Sequence, residues 1–264
     1  MDKALTIAGS DSGGGAGIEA DLKTFAALRV YGTCVITSVT AQNTLGVQGA
    51  FDLPPEFVGR QLDSVLSDIG ADAVKTGMLA NSGIIEVVAA KIREYGIKKL
   101  VIDPVMVAKS GDLLLAREAR QALKDKLLPL ALVITPNLDE ARVLTGRKIS
   151  NEDEMAAAAR ELHDLGVPYV VIKGGHLAGA ATDILFDGKE IRTFTTPRLD
   201  NRHTHGTGCT FSAALAAFLA RGLGVPEAIA GAKDYITRAI RQARAIGQGY
   251  GPVHHLVDYY SWGD

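Results

Sequence analysis

The sequence has only two cysteines, one tryptophan and no apolar run near the ~20 residues a membrane span needs. Cys34 and Cys209 lie far apart and make neither a CxxC pair nor a disulfide framework, which favours a reducing cytosol. No block of like charge stands out. The 28 basic and 30 acidic side chains leave a net charge of −2, which argues against general binding to nucleic acid or to a membrane surface. Residues 1–9 carry one lysine and a short apolar run, less than a secretory leader requires. There is no linker, internal repeat or low-complexity stretch. The expectation is a soluble cytoplasmic protein with a single domain over residues 1–264.

What is present is a globular composition, 47% hydrophobic and 22% charged, with 29 glycines. That glycine share exceeds the usual ~7%. Short β-rich runs at 4–8, 33–39, 73–75, 100–103, 132–135 and 169–173 are apolar on both faces, as strands of a parallel sheet covered on each side would be. Helical patterns at 56–69, 82–95 and 116–127 alternate with them. In the first, Phe57, Leu62, Val65, Leu66 and Ile69 share one face. A helix is expected over 150–165, with Ser150 and Asp153 as a capping box and Gly166 as its stop. Residues 183–186 and 189–195, joined at Asp187-Gly188, read as an antiparallel hairpin. Two alanine-rich helices at 207–220 and 226–245 follow. The fold class is α/β, with a mostly parallel sheet and helices on both faces.

Ligands of open α/β sheets bind beyond the carboxyl ends of the strands. The segments there are 9–17, 40–44, 77–78, 104–111, 136–140 and 174–176, all rich in Gly, Pro and polar residues. The first resembles a dinucleotide turn, but 38–43 offers no acid for a ribose, and no Gly-Lys-Ser/Thr follows. A flexible loop over a ligand suits its glycines better. Residues 201–210 form a glycine-rich entry to a helix, and so a ready anion site. Cys209 falls in the first turn, where a thiol pKa is expected to drop; otherwise it is a small buried hydrophobe. His203 and His205 could flank a metal, but no third ligand is evident. Asn137 and Glu140 share a helix face as oxygen donors suited to Mg²⁺, although an Asn N-cap explains part of that pattern. Asp103 ends an apolar strand and needs a partner. Lys173, before two glycines, can reach a phosphate, unless it is simply solvated. An anion hole, Mg²⁺-suited oxygens, a lysine and a glycine loop are the parts of phosphoryl transfer.

Several segments together resemble the ribokinase-like superfamily, and within it the hydroxymethylpyrimidine/phosphomethylpyrimidine kinases of thiamine biosynthesis. They are Leu5-Thr6-Ile7-Ala8-Gly9-Ser10-Asp11, Gly13-Gly14-Gly15-Ala16-Gly17, Ala20-Asp21-Leu22-Lys23, Thr40-Ala41-Gln42-Asn43, Lys75-Thr76-Gly77-Met78, Asp103-Pro104-Val105-Met106, Lys109-Ser110-Gly111, Thr135-Pro136-Asn137, Lys173-Gly174-Gly175-His176, Thr204-His205-Gly206-Thr207-Gly208-Cys209 and Gly251-Pro252-Val253-His254-His255. The resemblance implies a three-layer sandwich, ATP and Mg²⁺ as cofactors, and a homodimer. It implies phosphorylation of 4-amino-5-hydroxymethyl-2-methylpyrimidine to the monophosphate and then the diphosphate. By the same resemblance, Gln42 would bind the aminopyrimidine, with Gly9, Ala16, Asp21, Met78 and Val105 lining its pocket. Gly206, Thr207, Gly208 and Cys209 would form the anion hole. Asp103, Asn137 and Glu140 would position Mg²⁺–ATP, with Lys173 on a phosphate and Thr204 beside the nucleotide. Many ribokinase-like sugar kinases carry an aspartate base where this chain has Cys209. A pyridoxal or pyridoxine kinase is the nearest rival, since its substrate is also a flat ring with a hydroxymethyl group. A nicotinamide oxidoreductase lacks its ribose acid, and a non-catalytic pyrimidine-binding module would not need the intact 206–209 turn.

Overall fold

A computed structural model describes residues 1–106, 115–175, 177 and 179–261. The expected segment 109–111, His176 and the whole loop 107–113 lie outside the described residues. The main sheet has eight strands. In chain order they are β1 (Lys3–Ala8), β2 (Tyr31–Ile36), β5 (Ala73–Thr76), β6 (Leu100–Ile102), β7 (Val133–Ile134), β8 (Tyr169–Lys173), β9 (Ala181–Phe186) and β10 (Ile191–Thr196). Their spatial order is β10-β9-β8-β7-β6-β5-β1-β2. The six strands from β2 to β8 are parallel, while β9 runs against β8 and β10 against β9.

Strand residues divide alternately between two cores. Leu5, Ile7, Leu100, Ile102, Val170 and Ile172 face one side, and Ala4, Val101 and Val171 the other. Period-2 alternation with both faces apolar therefore demands helices on both sides. One layer holds α2 (Pro55–Leu66), α3 (Ser82–Glu94), α4 (Arg117–Ala122), α5 (Leu138–Thr145) and α6 (Glu152–His163). The other holds α1 (Gly17–Ala27), α7 (Thr207–Ala220) and α8 (Val225–Arg241). α7 is apolar all round because it is buried between the sheet and its neighbours.

Several expectations need correction. The strand expected over 33–39 is two. β2 ends at Ile36, and Thr37 turns the chain, its amide donating to the Ala8 carbonyl and its hydroxyl to the Met78 carbonyl. A separate hairpin follows, β3 (Ser38–Asn43) with β4 (Gly46–Asp52). The helix expected over 116–127 is α4, then a π-helical turn at Leu123–Leu127 and a 3₁₀ turn at Leu128–Leu130. α6 is capped by Asn151, whose side chain accepts from the Glu154 amide. Ser150 instead donates through its amide and hydroxyl to the Glu154 carboxylate. The turn of the β9–β10 hairpin is longer than two residues: the Asp187 carboxylate accepts from the amides of Lys189 and Glu190.

Candidate active site

The strand order reverses between β1 and β5, the place where ligands of open α/β sheets bind beyond the carboxyl ends. Gly9 follows β1 and Met78 follows β5. A Cβ on Gly9 would lie 2.5 Å from the Met78 methyl, so these two expected pocket residues are in contact. Hairpin β3–β4 closes one side. The Ser12 hydroxyl donates to the Gln42 carbonyl at 2.8 Å and accepts from the Gln42 amide at 2.7 Å. Thr40 likewise donates through its hydroxyl to the Ser10 carbonyl. Gln42 is half-buried at a bulge, and its side-chain oxygen accepts from Thr40. Val105 is half-buried beyond β6. The structure thus brings Gly9, Ala16, Gln42 and Met78 around the loop 9–17.

That loop is not the slack cover its glycines suggest. The Asp11 carboxylate accepts from the amides of Gly13, Gly15 and Ala16 and is joined by His205 Nε2 at 2.8 Å. The glycines serve close approach. Gly17 has a left-handed φ of +56°, and a side chain there would overlap the Gly9 carbonyl oxygen.

Facing the loop is the start of α7. Gly206 caps it with φ +76°, and a side chain there would overlap the Gly15 carbonyl oxygen. The first intrahelical bond runs from the Thr210 amide to the Gly206 carbonyl. Helix geometry then leaves the amides of Gly208 and Cys209 without an intrahelical acceptor, at the positive end of the helix dipole. The Thr207 amide and hydroxyl both donate to the Thr204 carbonyl, so Thr204 orders the helix entry.

Beneath that helix start lie paired charges. Lys173 Nζ, at the end of β8, donates to Asp103 Oδ1 at 2.9 Å. Desolvation works against the Lys173 ammonium, but Asp103 and Glu140 outweigh it and raise its pKa. A Cβ on Gly208 would sit 3.3 Å from Lys173 Nζ and 3.5 Å from Asp103 Oδ2. Asn137 and Glu140 form a reciprocal capping box on α5: the Asn137 side chain accepts from the Glu140 amide, and the Glu140 carboxylate from the Asn137 amide. Burial pushes the Glu140 carboxyl up to about 7; Lys173 opposes this and Asp103 adds to it. Asn137 therefore acts first as a cap, with its oxygen committed to α5.

Two residues depart from expectation. Burial pushes the Cys209 thiol up to about 11, and Asp21 and Asp103 add to it despite help from Lys75 and the Gly17 amide. The helix start does not lower it. Asp21 is fully buried, with Oδ2 accepting from Lys75 Nζ at 2.7 Å and from the Thr6 hydroxyl at 2.6 Å. It holds an interior ion pair under the site. No local pattern marks the role of Lys75: it sits mid-strand between Val74 and Thr76, and its partner is 54 residues away. Desolvation disfavours its charge, but Asp21, with Cys209 and Asp103, outweighs that and raises its pKa. His203 Nδ1 accepts from the Gly251 amide, and no metal-holding cluster of His, Cys, Asp and Glu occurs among the described residues.

A doubly covered sheet that sets Lys173 and Asp103 at strand ends beneath a glycine-rich helix start, with the capping Glu140 of α5 close by, defines a phosphotransferase of ribokinase-like fold. The chain belongs to the phosphomethylpyrimidine kinase family, whose model matches residues 11–254. It is 56% identical over 254 residues to the thiamine biosynthesis bifunctional protein ThiED of Geobacter sulfurreducens, covering 96% of this chain and 52% of that one. It thus spans about half the length of that relative. It is 50% identical to the hydroxymethylpyrimidine/phosphomethylpyrimidine kinase of Bacillus subtilis, covering 97% of this chain and 95% of that one. Among solved structures, an ADP complex of Bacillus subtilis pyridoxal kinase matches at a TM-score of 0.92 and 46% identity, covering 98% of each chain.

Proposed function

We propose that this chain, acting as one domain, transfers the γ-phosphoryl group of ATP to the hydroxymethyl group of 4-amino-5-hydroxymethyl-2-methylpyrimidine, and then phosphorylates the monophosphate to the diphosphate. The observation that carries this reading is the start of α7 lying directly over the Lys173–Asp103 pair. The helix start and the lysine lie close together, with Lys173 Nζ 3.3 Å from where a Cβ on Gly208 would sit, and a transferring phosphoryl group needs both kinds of donor. The family membership supplies the substrate class.

In the first step the hydroxymethyl oxygen bonds to the γ-phosphorus as the bond from that phosphorus to the β,γ-bridging oxygen breaks. ADP departs with that electron pair. The amides of Gly208 and Cys209 hold the transferring oxygens, and Lys173 neutralises phosphate charge. Gln42 matches the donor and acceptor edge of the ring, and Met78 and Val105 give it apolar contact. Burial keeps Cys209 mostly as the thiol; its small thiolate fraction, which grows with pH, accepts the hydroxyl proton. In the second step a phosphate oxygen of the monophosphate bonds to the γ-phosphorus of a second ATP as the bond to its β,γ-bridging oxygen breaks, and ADP again departs with that electron pair.

The donor chemistry fits Mg²⁺. Asp103 and the strongly desolvated Glu140 are oxygen donors whose mutual repulsion a divalent cation would relieve. These two would hold it, sharing it with phosphate oxygens and water, and it would neutralise charge on the transferring group.

The hairpin leaves Val39, Leu45, Val47 and Phe51 exposed. That apolar edge supports a homodimer; a monomer by light scattering at working concentration would remove the assignment. The two distant cysteines support a reducing cytosol, and the net charge of −2 supports an enzyme that acts on small molecules, not nucleic acid. No helix among the described residues is long and apolar enough to cross a membrane.

The deciding experiment incubates the purified protein with Mg²⁺–ATP and, separately, the hydroxymethylpyrimidine and pyridoxal, and weighs the products by mass spectrometry. Mono- and diphosphate of the pyrimidine are expected. Pyridoxal phosphate with the pyrimidine untouched would overturn the reading.

A further inference from the structure

Asp11 sits at the heart of the loop 9–17 and is only 2% exposed. Its carboxylate takes the Gly13 amide at 2.8 Å on one oxygen. On the other it takes the amides of Gly15 at 3.0 Å and Ala16 at 2.8 Å, together with His205 Nε2 at 2.8 Å. Its own amide donates to the Glu19 carboxylate at 2.7 Å. Four partners on two oxygens leave little acceptor capacity for a ligand, so this carboxylate holds backbone.

His205 is the residue before the cap of α7. Its backbone is fixed from the other side: its amide donates to the Gly251 carbonyl and its carbonyl accepts from the Val253 amide. Its ring lies against Gly15, where a Cβ would be 2.6 Å from His205 Cδ2. Burial would raise the Asp11 pKa, but the hydrogen bonds from His205 and the loop amides outweigh it and hold the carboxyl below its ordinary value. The single carboxylate thus joins two bodies. One is the loop carrying Ala16 and latched through Ser12 to Gln42. The other is the helix start with its open amides.

We propose that Asp11 and His205 form a positioning pair that sets the acceptor-side loop against the phosphoryl-receiving start of α7. The inference rests on the phosphotransferase reading. Neither residue touches reacting atoms. Their task is the distance between nucleophile and phosphorus, and catalysis of phosphoryl transfer is largely positioning. Losing the pair misplaces the acceptor and leaves the nucleotide contacts of Lys173 and Asp103 intact.

The test uses the full chain, with Asp11→Asn, His205→Ala, His205→Gln and the Asp11→Asn/His205→Ala double variant. The readouts are kcat and KM for each substrate, ADP formed per phosphorylated acceptor, and thermal midpoint. Asp11→Asn and His205→Ala should lower kcat/KM for the acceptor by about 10–100-fold and leave KM for ATP within about twofold. ADP per product should rise, because water replaces a misplaced acceptor. His205→Gln, which keeps an N–H near Nε2, should recover most of the loss, and the double variant should be no worse than the poorer single. Equal losses toward ATP and acceptor at unchanged ADP per product would overturn the pairing, as would a His205→Gln protein as poor as His205→Ala. Should Asp11→Asn fail to fold, the two His205 variants decide. A wild-type enzyme that ignores the pyrimidine refutes the substrate reading alone; the pair is then scored on whichever hydroxymethyl acceptor the wild type uses.

Discussion

At the scale of the residue, Cys209 shows how two opposing effects are decided by size. A helix N-terminus favours an anion by about 0.3–1 kcal/mol, less than the 1.36 kcal/mol of one pKa unit. Burial can move a group by up to 3–5 units. Burial wins, and the thiol stands near 11. A raised thiol pKa means that the thiolate fraction grows with pH up to that value. Turnover of the wild-type enzyme should therefore climb as pH rises above 8. Cys209→Ala should lose about 10²–10⁴ in kcat and the climb with it. Near-normal turnover in Cys209→Ala would assign the residue to holding the alcohol. The same group should react with iodoacetamide slowly at neutral pH and faster toward pH 11, followed by peptide mass.

At the scale of the element, the start of α7 and the loop 9–17 meet backbone to backbone, with Gly206 overlapping Gly15 if it gains a side chain. Its left-handed φ of +76° adds about 1–2 kcal/mol of strain for any other residue. Gly206→Ala should therefore separate the two elements and abolish transfer, whereas Gly208→Ala meets only side-chain tips, Lys173 Nζ and Asp103 Oδ2, and should fold and weaken ATP binding. Wild-type kinetics in Gly206→Ala would refute this account. Most elements were legible in the sequence, because doubly covered strands and amphipathic helices write their periods plainly. α7 over 207–220 agrees with expectation to the residue. β3 was not legible, since its residues continue the β-like run of β2 and only the Thr37 contacts divide them. The cap of α6 slipped by one position because Ser150, Asn151 and Asp153 all suit caps, and packing chose Asn151. Asp103 and Lys173 were legible as polar residues at strand ends, Glu140 as a carboxylate sharing a helix face with Asn137, and the 206–209 turn as a helix start. Asp11, Lys75 and His205 owe their roles to partners distant in the chain, and no local pattern encodes those distances.

At the scale of the whole molecule, the charges buried between the two cores tie stability to pH. The Glu140 carboxyl titrates near 7 in the folded chain against 4.5 for the free group. The native state therefore holds a proton that the unfolded chain has already lost between about pH 4.5 and 7. This contribution is complete below 4.5 and is lost as pH rises toward 7. The urea midpoint should fall over that window, and Glu140→Gln, which can still cap α5, should flatten the fall. Identical slopes for the two proteins would refute the assignment. Burial also raises the Asp183 carboxyl, although Lys233 Nζ opposes it from 2.8 Å, so a weaker decline should begin at lower pH. The contact between Asp11 and His205 spans 194 positions of the chain. On the ribosome the glycine loop emerges early and must wait for nearly two hundred further residues before its partner leaves the exit tunnel. Placement of the acceptor is then a property of the finished chain, and a nascent one shows the cell an open sheet edge and no active kinase.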